Sequence, residues 1–419
     1  MAFRNLILKT NYSHNEYPHK SQDIENINKV FEEYGLKVND VKEGSQVVRY
    51  IINLPLDIKI NGKILRARKA IERTLLVALK TDNISYFQTE DTLVIERRGK
   101  FNIVPFGKLY TPEFHIRSSM TSVVLGQDLN GNPVFTDIAK APHMLIAGTT
   151  GSGKSETLHS IVASLLMHNV YAKDSSTKIN VRTIIKVIDM KGTEFNKYKN
   201  TPVSIISDED EAFNLLSSLC DSMENRYALF AKNNCDDIDE YIENGHKLSR
   251  IVCIIDEFAD LILKNPGVED YVVRLAQKAR ACGIHLIIGT QSPRVDVVTG
   301  LIKANIPFRI ALNTTNSRES RIIMDETGAE KLFGKGDMLI KKGGNKPIRV
   351  QGCYVADEDK INIAAIVSKA FIRPDDTTPV KPEEKEIVPP KKVGFIQKVK
   401  NIWNAPQRTT SSDYWNILN

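Results

Sequence analysis

The chain has 419 residues, 42% hydrophobic and 26% charged, with a formal net charge of +6 and a pI near 8.8. That composition excludes a disordered polyelectrolyte and leaves room for about two or three domains. No run approaches the ~18 apolar residues of a membrane span, MAFRNLILKTNYSHNEY lacks a signal-peptide core and cleavage site, and five cysteines without a CxxC pair exclude a disulfide framework. The cysteines are expected to be reduced and mostly buried, as in a cytoplasmic protein. The mild basicity fits nucleic acid and a solvated basic surface equally well.

In chain order, residues 1–20 read as a flexible arm. Residues 21–118 read as a small α+β subdomain. A helix from Ser21 carries Ile24, Ile27, Val30 and Phe31 on one face and stops at Gly35. A strand follows over Gln46–Leu54, a basic helix over Leu65–Leu79, and two more strands over Ile84–Phe87 and Thr92–Arg97. Arg66, Arg68, Lys69 and Arg73 put basic charge on that helix, which serves a polyanion or simply faces water. Residues 119–371 read as a second domain. It opens with a hairpin turning at Asn130-Gly131, and strands then alternate with helices. Several strands are continuous apolar runs, which predicts an α/β fold with a mainly parallel sheet covered on both faces. Residues 372–392 form a Pro- and charge-rich linker. In 393–419, Phe395, Ile396, Val399, Ile402 and Trp403 share a helical face beside Lys398 and Lys400. Such a basic amphipathic segment docks on a partner, lies on a membrane surface, or packs back on its own chain.

The stretch HMLIAGTTGSGKS organises the rest. An apolar strand leads into Gly148-Thr149-Thr150-Gly151-Ser152-Gly153-Lys154-Ser155, which satisfies GxxxxGK[ST] and is followed at once by helix. The glycines permit the turn and close backbone approach, and the loop N–H groups with the helix N-terminus wrap a phosphate chain. Lys154 is expected to reach the β- and γ-phosphates of a nucleotide and Ser155 to ligate Mg2+, with Glu156 completing the nucleotide-binding run. IVCIIDE ends an apolar strand in Asp256 and Glu257, one to hold Mg2+ and one to polarise the attacking water. Gln291, at the tip of the next apolar strand, fits a γ-phosphate sensor. Arg274, Lys278 and Arg280, read as lying on one helix, are candidates for a cation donated to a neighbouring subunit's site.

The segments LGQDLNGNPVFTDIAKAPHMLIAGTTGSGKS, IIDEFADL, RLAQKARACGIHLIIGTQSP, VDVVTGLIKANIPFRIAL and GAEKLFGKGDML resemble the FtsK/SpoIIIE DNA translocases over about Ser119–Ala356. EGSQVVRYIINLP and the basic helix resemble, more weakly, that family's α subdomain. The resemblance implies a RecA-like P-loop ATPase that forms a hexameric ring and moves double-stranded DNA through its pore. It implies Arg280 as the residue acting across the subunit interface, and Lys303 and Arg321 as pore or DNA contacts. The chain departs from the family in TQSPR, which carries its arginine at Arg294, in Ser317 followed by Arg318, and in Ile188-Asp189-Met190-Lys191. Arg294 and Arg318 therefore join the DNA-contact candidates. Without membrane segments upstream or a winged-helix domain downstream, the expected role is a cytoplasmic motor for plasmid, conjugative or phage DNA, recruited to the membrane periphery at most. The alternative is a coupling or adaptor protein that binds ATP without translocating.

Overall fold

The computed structural model describes residues 17–55, 63–81, 84–88, 91–171 and 182–371. Residues 1–16 of the expected arm 1–20, the linker 372–392 and the basic tail 393–419 lie outside the described residues; the end of the arm is not loose, since Tyr17 is buried in the smaller core and Lys20 already begins the first helix.

Two sheets organise what is described. The smaller is antiparallel and comprises β1 (Asp40–Glu43), β2 (Val47–Asn53), β3 (Ile84–Gln88) and β4 (Thr92–Arg98), in the order β1-β2-β4-β3. Val48, Tyr50 and Ile52 on β2 and Leu93 and Ile95 on β4 alternate onto one face, as a half-buried sheet requires. Two helices cover it, α1 (Lys20–Phe31) with Ile27 and Phe31 and α2 (Lys63–Ala78) with Ile64, Ile71 and Leu75. Strand β1 escaped the sequence pattern because DVKE is a half-buried, charged edge strand without apolar alternation. On α2, Arg68 donates to the Tyr86 carbonyl at 2.9 Å, so part of its basic face serves the module itself.

The larger sheet runs β6 (Pro133–Asp137), β5 (Ser122–Asp128), β14 (Ile348–Gly352), β13 (Asp337–Lys342), β12 (Phe308–Leu312), β7 (His143–Ala147), β11 (Ile284–Thr290), β10 (Ile251–Ile255), β8 (Ile184–Ile188), β9 (Val203–Ile206). From β12 to β9 all neighbours are parallel; β13, β14, β5 and β6 add an antiparallel flank. Both faces are buried. On β7, Met144 and Ile146 enter one core layer with Leu158, Ile161 and Leu165 of α3 (Lys154–Tyr171), while Leu145 and Ala147 enter the other with α4 (Glu209–Lys232) and α5 (Val268–Lys278). This explains the unbroken apolar strands and the nearly all-round burial of α3. Short hydroxyl residues inside α3 stay satisfied: Ser160 donates to the Val124 carbonyl at 2.8 Å and Ser164 to the Ser160 carbonyl at 2.7 Å. Helices α6 (Ser317–Met324) and α7 (Asp357–Phe371) complete the larger layer system. Val104, Phe106, Leu109 and Tyr110 pack in the larger core, not the smaller one. All five cysteines are free and buried. Burial pushes the Cys253 and Cys353 thiols up to about 12 and those of Cys220 and Cys282 up to about 11. Among the described residues no helix is long and apolar enough to cross a membrane.

The two sheets meet at a buried ion cluster. Arg349 of β14 donates to both oxygens of Asp337 on β13, at 3.0 and 2.6 Å, and to Glu96 on β4, which also takes the guanidinium of Arg49 on β2. The Phe333 ring lies 4.9 Å from the Arg349 guanidinium. Burial alone would push Arg349 toward neutrality; Asp337 and Glu96 outweigh it and hold the charge. Removing Arg349 leaves the buried Asp337 carboxylate without a cation and Glu96 with Arg49 alone. Arg349→Ala is expected to lower the unfolding free energy by about 3–5 kcal/mol, read as a drop in the urea midpoint.

Three buried histidines set a pH limit. Burial holds His143 and His168 neutral, with pKa values pushed down to about 3, and His285 to about 4. Below the ordinary value of 6.5 the unfolded chain binds protons that the folded chain refuses until pH 3–4. Stability is therefore full above that value and falls beneath it, by about 1.4 kcal/mol per pH unit for each histidine. Urea titrations at pH 7 and pH 5 are expected to show the midpoint falling at the lower pH.

Candidate nucleotide site and basic surface

Every parallel strand except the outermost delivers a polar group to the same edge of the sheet, its C-terminal one, where ligands bind in open α/β folds. Strand β7 ends in the glycine-rich loop, β10 in Asp256 and Glu257, β11 in Thr290 and Gln291, β12 in Asn313, and β8 in Asp189.

The loop is built by close approach. A Cβ on Gly148 would meet Leu312 Cβ at 2.7 Å, and one on Gly153, whose φ is +109°, would meet the Gly336 backbone nitrogen at 2.5 Å. That proximity is used: Gly336 N–H donates to the Ser152 carbonyl at 2.7 Å, and Thr149 donates through N–H and hydroxyl to the Asn313 carbonyl at 2.9 and 3.1 Å. A cavity of about 370 Å³ opens over the loop and runs to Phe101, Ile103 and Tyr354. Thr149, Thr150, Gly151, Gly153, Lys154, Ser155 and Glu156 all line it, as does Gln291, while Ser152 is buried behind.

Lys154 is buried and donates to Asp256 Oδ1 at 2.6 Å and to the Asp256 carbonyl. Glu257, also buried, is held through both oxygens: Thr290 Oγ1 donates to one and Gln291 N–H to the other, each at 2.7 Å. Thr150 Oγ1 donates to Gln291 Oε1 at 2.7 Å. The approach of β11 to β10 that makes this possible depends on Gly289, where a Cβ would sit 2.4 Å from the Asp256 carbonyl oxygen. The structure thus brings together Lys154, Ser155, Asp256, Glu257 and Gln291. Glu156 lines the same cavity while its Oε1 accepts from Lys360 at 2.9 Å. Sequence reading missed Thr290 and Asn313, whose only signal is their position at the ends of apolar strands. It also missed the Gly334–Asp337 loop against the phosphate loop.

The basic candidates lie elsewhere. Arg280 is not on a helix: α5 ends at Lys278, and Arg280 occupies the exposed turn before β11. It lines a cavity with Asp237, Asp239, Arg250 and His285 at the opposite sheet edge, about 20 Å from the loop by the length of β11. Arg274 pairs with Glu224 at 2.8 Å on the surface. Arg294 and Arg318 are exposed and line one cleft, with Arg294 3.3 Å from Asp296. Arg321 is exposed one turn further along α6. Lys303 is committed to Asp325 at 2.9 Å, which also takes Arg309, so its charge is largely compensated within the fold. No group of three or more His, Cys, Asp or Glu side chains able to hold a metal exists among the described residues.

The model of the FtsK/SpoIIIE family matches residues 108–295. The DNA translocase SftA of Bacillus subtilis is 47% identical over 257 residues, 59% of this chain and 26% of that one. The DNA translocase FtsK of Halalkalibacterium halodurans is 36% identical over 367 residues, 83% of this chain and 45% of that one. The chain therefore spans less than half the length of these relatives. Among solved structures, the pCW3 conjugation coupling protein TcpA, a monomer with ATPγS, superposes with a TM-score of 0.58 at 26% identity, over 83% of this chain and 99% of that one. The glycine loop, acidic strand end and strand-tip glutamine that fill one edge of the sheet lie within the matched residues, and the chain belongs to the FtsK/SpoIIIE family of P-loop nucleotide-binding proteins.

Proposed function

We propose that the chain is an ATP-driven motor that translocates double-stranded DNA of a mobile element or phage, working in the cytoplasm as a ring of protomers with Mg·ATP between them. The observation that carries the reading is the convergence of Lys154, Asp256, Glu257 and Gln291 on one sheet edge, beside a cavity of about 370 Å³ that Lys154 and Gln291 line. The names of the relatives supply the DNA-moving direction, and the likeness to a conjugation coupling protein supports a mobile-element cargo.

The chemistry follows from the hydrogen bonds. The phosphate chain enters the loop, and Lys154 turns its ammonium from the Asp256 carbonyl to the β- and γ-phosphate oxygens. Ser155 and Asp256 offer hard oxygen donors beside the phosphates, which fits Mg2+ held jointly by one or two protein groups and the nucleotide. When bound, Mg2+ neutralises charge developing on the phosphates. Glu257 keeps acceptor capacity beyond its bonds to Thr290 and Gln291, so a water hydrogen-bonded to it is oriented by a carboxylate that cannot swing away. With its oxygen engaged by Thr150, the Gln291 amide has its two N–H donors left for the γ-phosphate. Arg280 is assigned to a neighbouring protomer's site, which suits its distance from its own loop. Arg294, Arg318 and Arg321 form the DNA-facing set, with Lys303 secondary to them. Segment 393–419 is assigned to partner or membrane-surface docking.

Linear duplex DNA at low salt is expected to stimulate ATP hydrolysis; unchanged turnover would overturn the motor reading. Glu257→Gln is expected to lower hydrolysis by about 100-fold or more while nucleotide binding persists. It is also expected to abolish DNA movement, which a coupling protein that only binds ATP would retain. Removing Arg294 and Arg318 together is expected to weaken duplex binding uniformly across sequences. The slope of log K against log salt should flatten by about 1 for each phosphate that is no longer neutralised, as measured by fluorescence anisotropy.

A further inference from the structure

One wall of the cavity over the phosphate loop is apolar. It is built from Phe101, Ile103 and Tyr354, all half-buried. Phe101 and Ile103 lie on the segment that carries the chain from β4 into the larger core, and that segment is pinned at both ends. Toward the small sheet, Gly99 N–H donates to the Gln46 carbonyl at 2.9 Å and Asn102 N–H to the Ser45 carbonyl at 2.5 Å. Toward the large sheet, Tyr354 N–H donates to the Val104 carbonyl at 2.8 Å and Phe106 N–H to the Tyr354 carbonyl at 2.9 Å. Val104 and Phe106 then enter the larger core. Phe101 and Ile103 therefore sit on a tethered strap, lining the same cavity as Lys154 and Ser155.

A phosphate chain calls for N–H groups and cations, which the glycine loop and Lys154 supply; it has no use for an aromatic ring and an isoleucine. Apolar side chains left half in water gain from any ligand that covers them. The Phe101 ring is covered by a flexible group, the Lys335 ammonium, 5.4 Å from its centroid. Lys335 is exposed and makes no ion pair among the described residues. The contact of an exposed cation with a ring is weak, so the lysine gives up its place readily. The aromatic face that it uncovers suits a flat heteroaromatic ring, and every nucleobase offers one.

We propose that Phe101, with Ile103 and Tyr354 beside it, is the nucleobase subsite of this cavity. The base of the nucleotide lies against the Phe101 ring where the Lys335 ammonium now rests, while the phosphates occupy the glycine loop. The assignment rests on the ATP reading of the loop and goes beyond it, because the wall comes from a segment outside the strands that carry the phosphate-binding groups. Through Gln46 and Ser45 that segment is tied to the small sheet, so a bound nucleoside touches what joins the two sheets, whereas the phosphate loop belongs to the larger one.

The test titrates the full chain with ATP and with inorganic tripolyphosphate, both with MgCl2, by isothermal calorimetry. The parent chain is expected to bind ATP about 10–100-fold more tightly than tripolyphosphate, the range that stacking of one base on an aromatic side chain supplies. Phe101→Ala is expected to remove most of that difference by weakening ATP alone, and Phe101→Trp, which keeps an aromatic face, to preserve it. Equal affinity of the parent chain for ATP and tripolyphosphate would overturn the proposal without any variant. So would full ATP affinity in Phe101→Ala, or a matching loss for both ligands, which is what a merely structural phenylalanine gives. A parent chain that binds neither ligand would instead bring down the ATP reading, and this assignment with it.

Discussion

The structure depends on a buried arginine between two acids that belong to different sheets. Arg349 binds Asp337 within the larger sheet and Glu96 in the smaller one, and both acids are buried. Asp337 directly follows Gly336, whose N–H holds the Ser152 carbonyl of the phosphate loop. From the other side, Gln46, just before β2, donates to the Gly334 carbonyl at 2.7 Å. The four residues Gly334–Asp337 therefore touch the small sheet, the large sheet and the phosphate loop at once. A buried ion cluster of this kind contributes less to raw stability than an apolar packing of equal volume, but it tolerates only one arrangement of its partners. Here that arrangement fixes how the small sheet presents itself to the loop.

How much of this could be read from the residues alone divides along a physical line. The glycine loop and the IIDE strand end were legible because their chemistry needs neighbours in sequence: backbone N–H groups in a row, and a carboxylate at a strand tip. The helices and most parallel strands were legible because burial on one or both faces leaves a period. Strands β13 and β14 were not, since Lys341 and Arg349 break their apolar runs; only tertiary partners, Glu326 and the Asp337–Glu96 pair, make those charges tolerable. The end of α5 was also hidden. AQKARA reads as continuous helix, yet the chain turns at Gly283, φ +73°, to enter β11, and Arg280 is left on the turn. Thr290 and Asn313 depend on which strand lies beside which. That order, β12-β7-β11-β10-β8, is a long-range property that no local window carries.

The candidate site is a set of mutual constraints in which few groups stand alone. Lys154 leans on Asp256, Glu257 on Thr290 and Gln291, and Gln291 on Thr150. Each acid that would meet a cation or a water is already aimed by a neighbour from another element, so the acidic side of the site is prepared by the fold. The basic residues outside the site divide in the same spirit. Lys303 and Arg309 are absorbed by Asp325, whereas Arg318 and Arg321 stay exposed on α6, one turn apart.

The five cysteines bear on how such a machine can be watched. Each is buried, and burial pushes four of the thiols up to about 11 or 12, so the fraction present as thiolate near neutrality is very small. Maleimide chemistry needs that thiolate. A single cysteine introduced at an exposed position would accept a dye or spin label against a nearly silent background, without first stripping native sulfur from the core. Distances between the small sheet and the phosphate loop then become measurable in the otherwise unaltered chain.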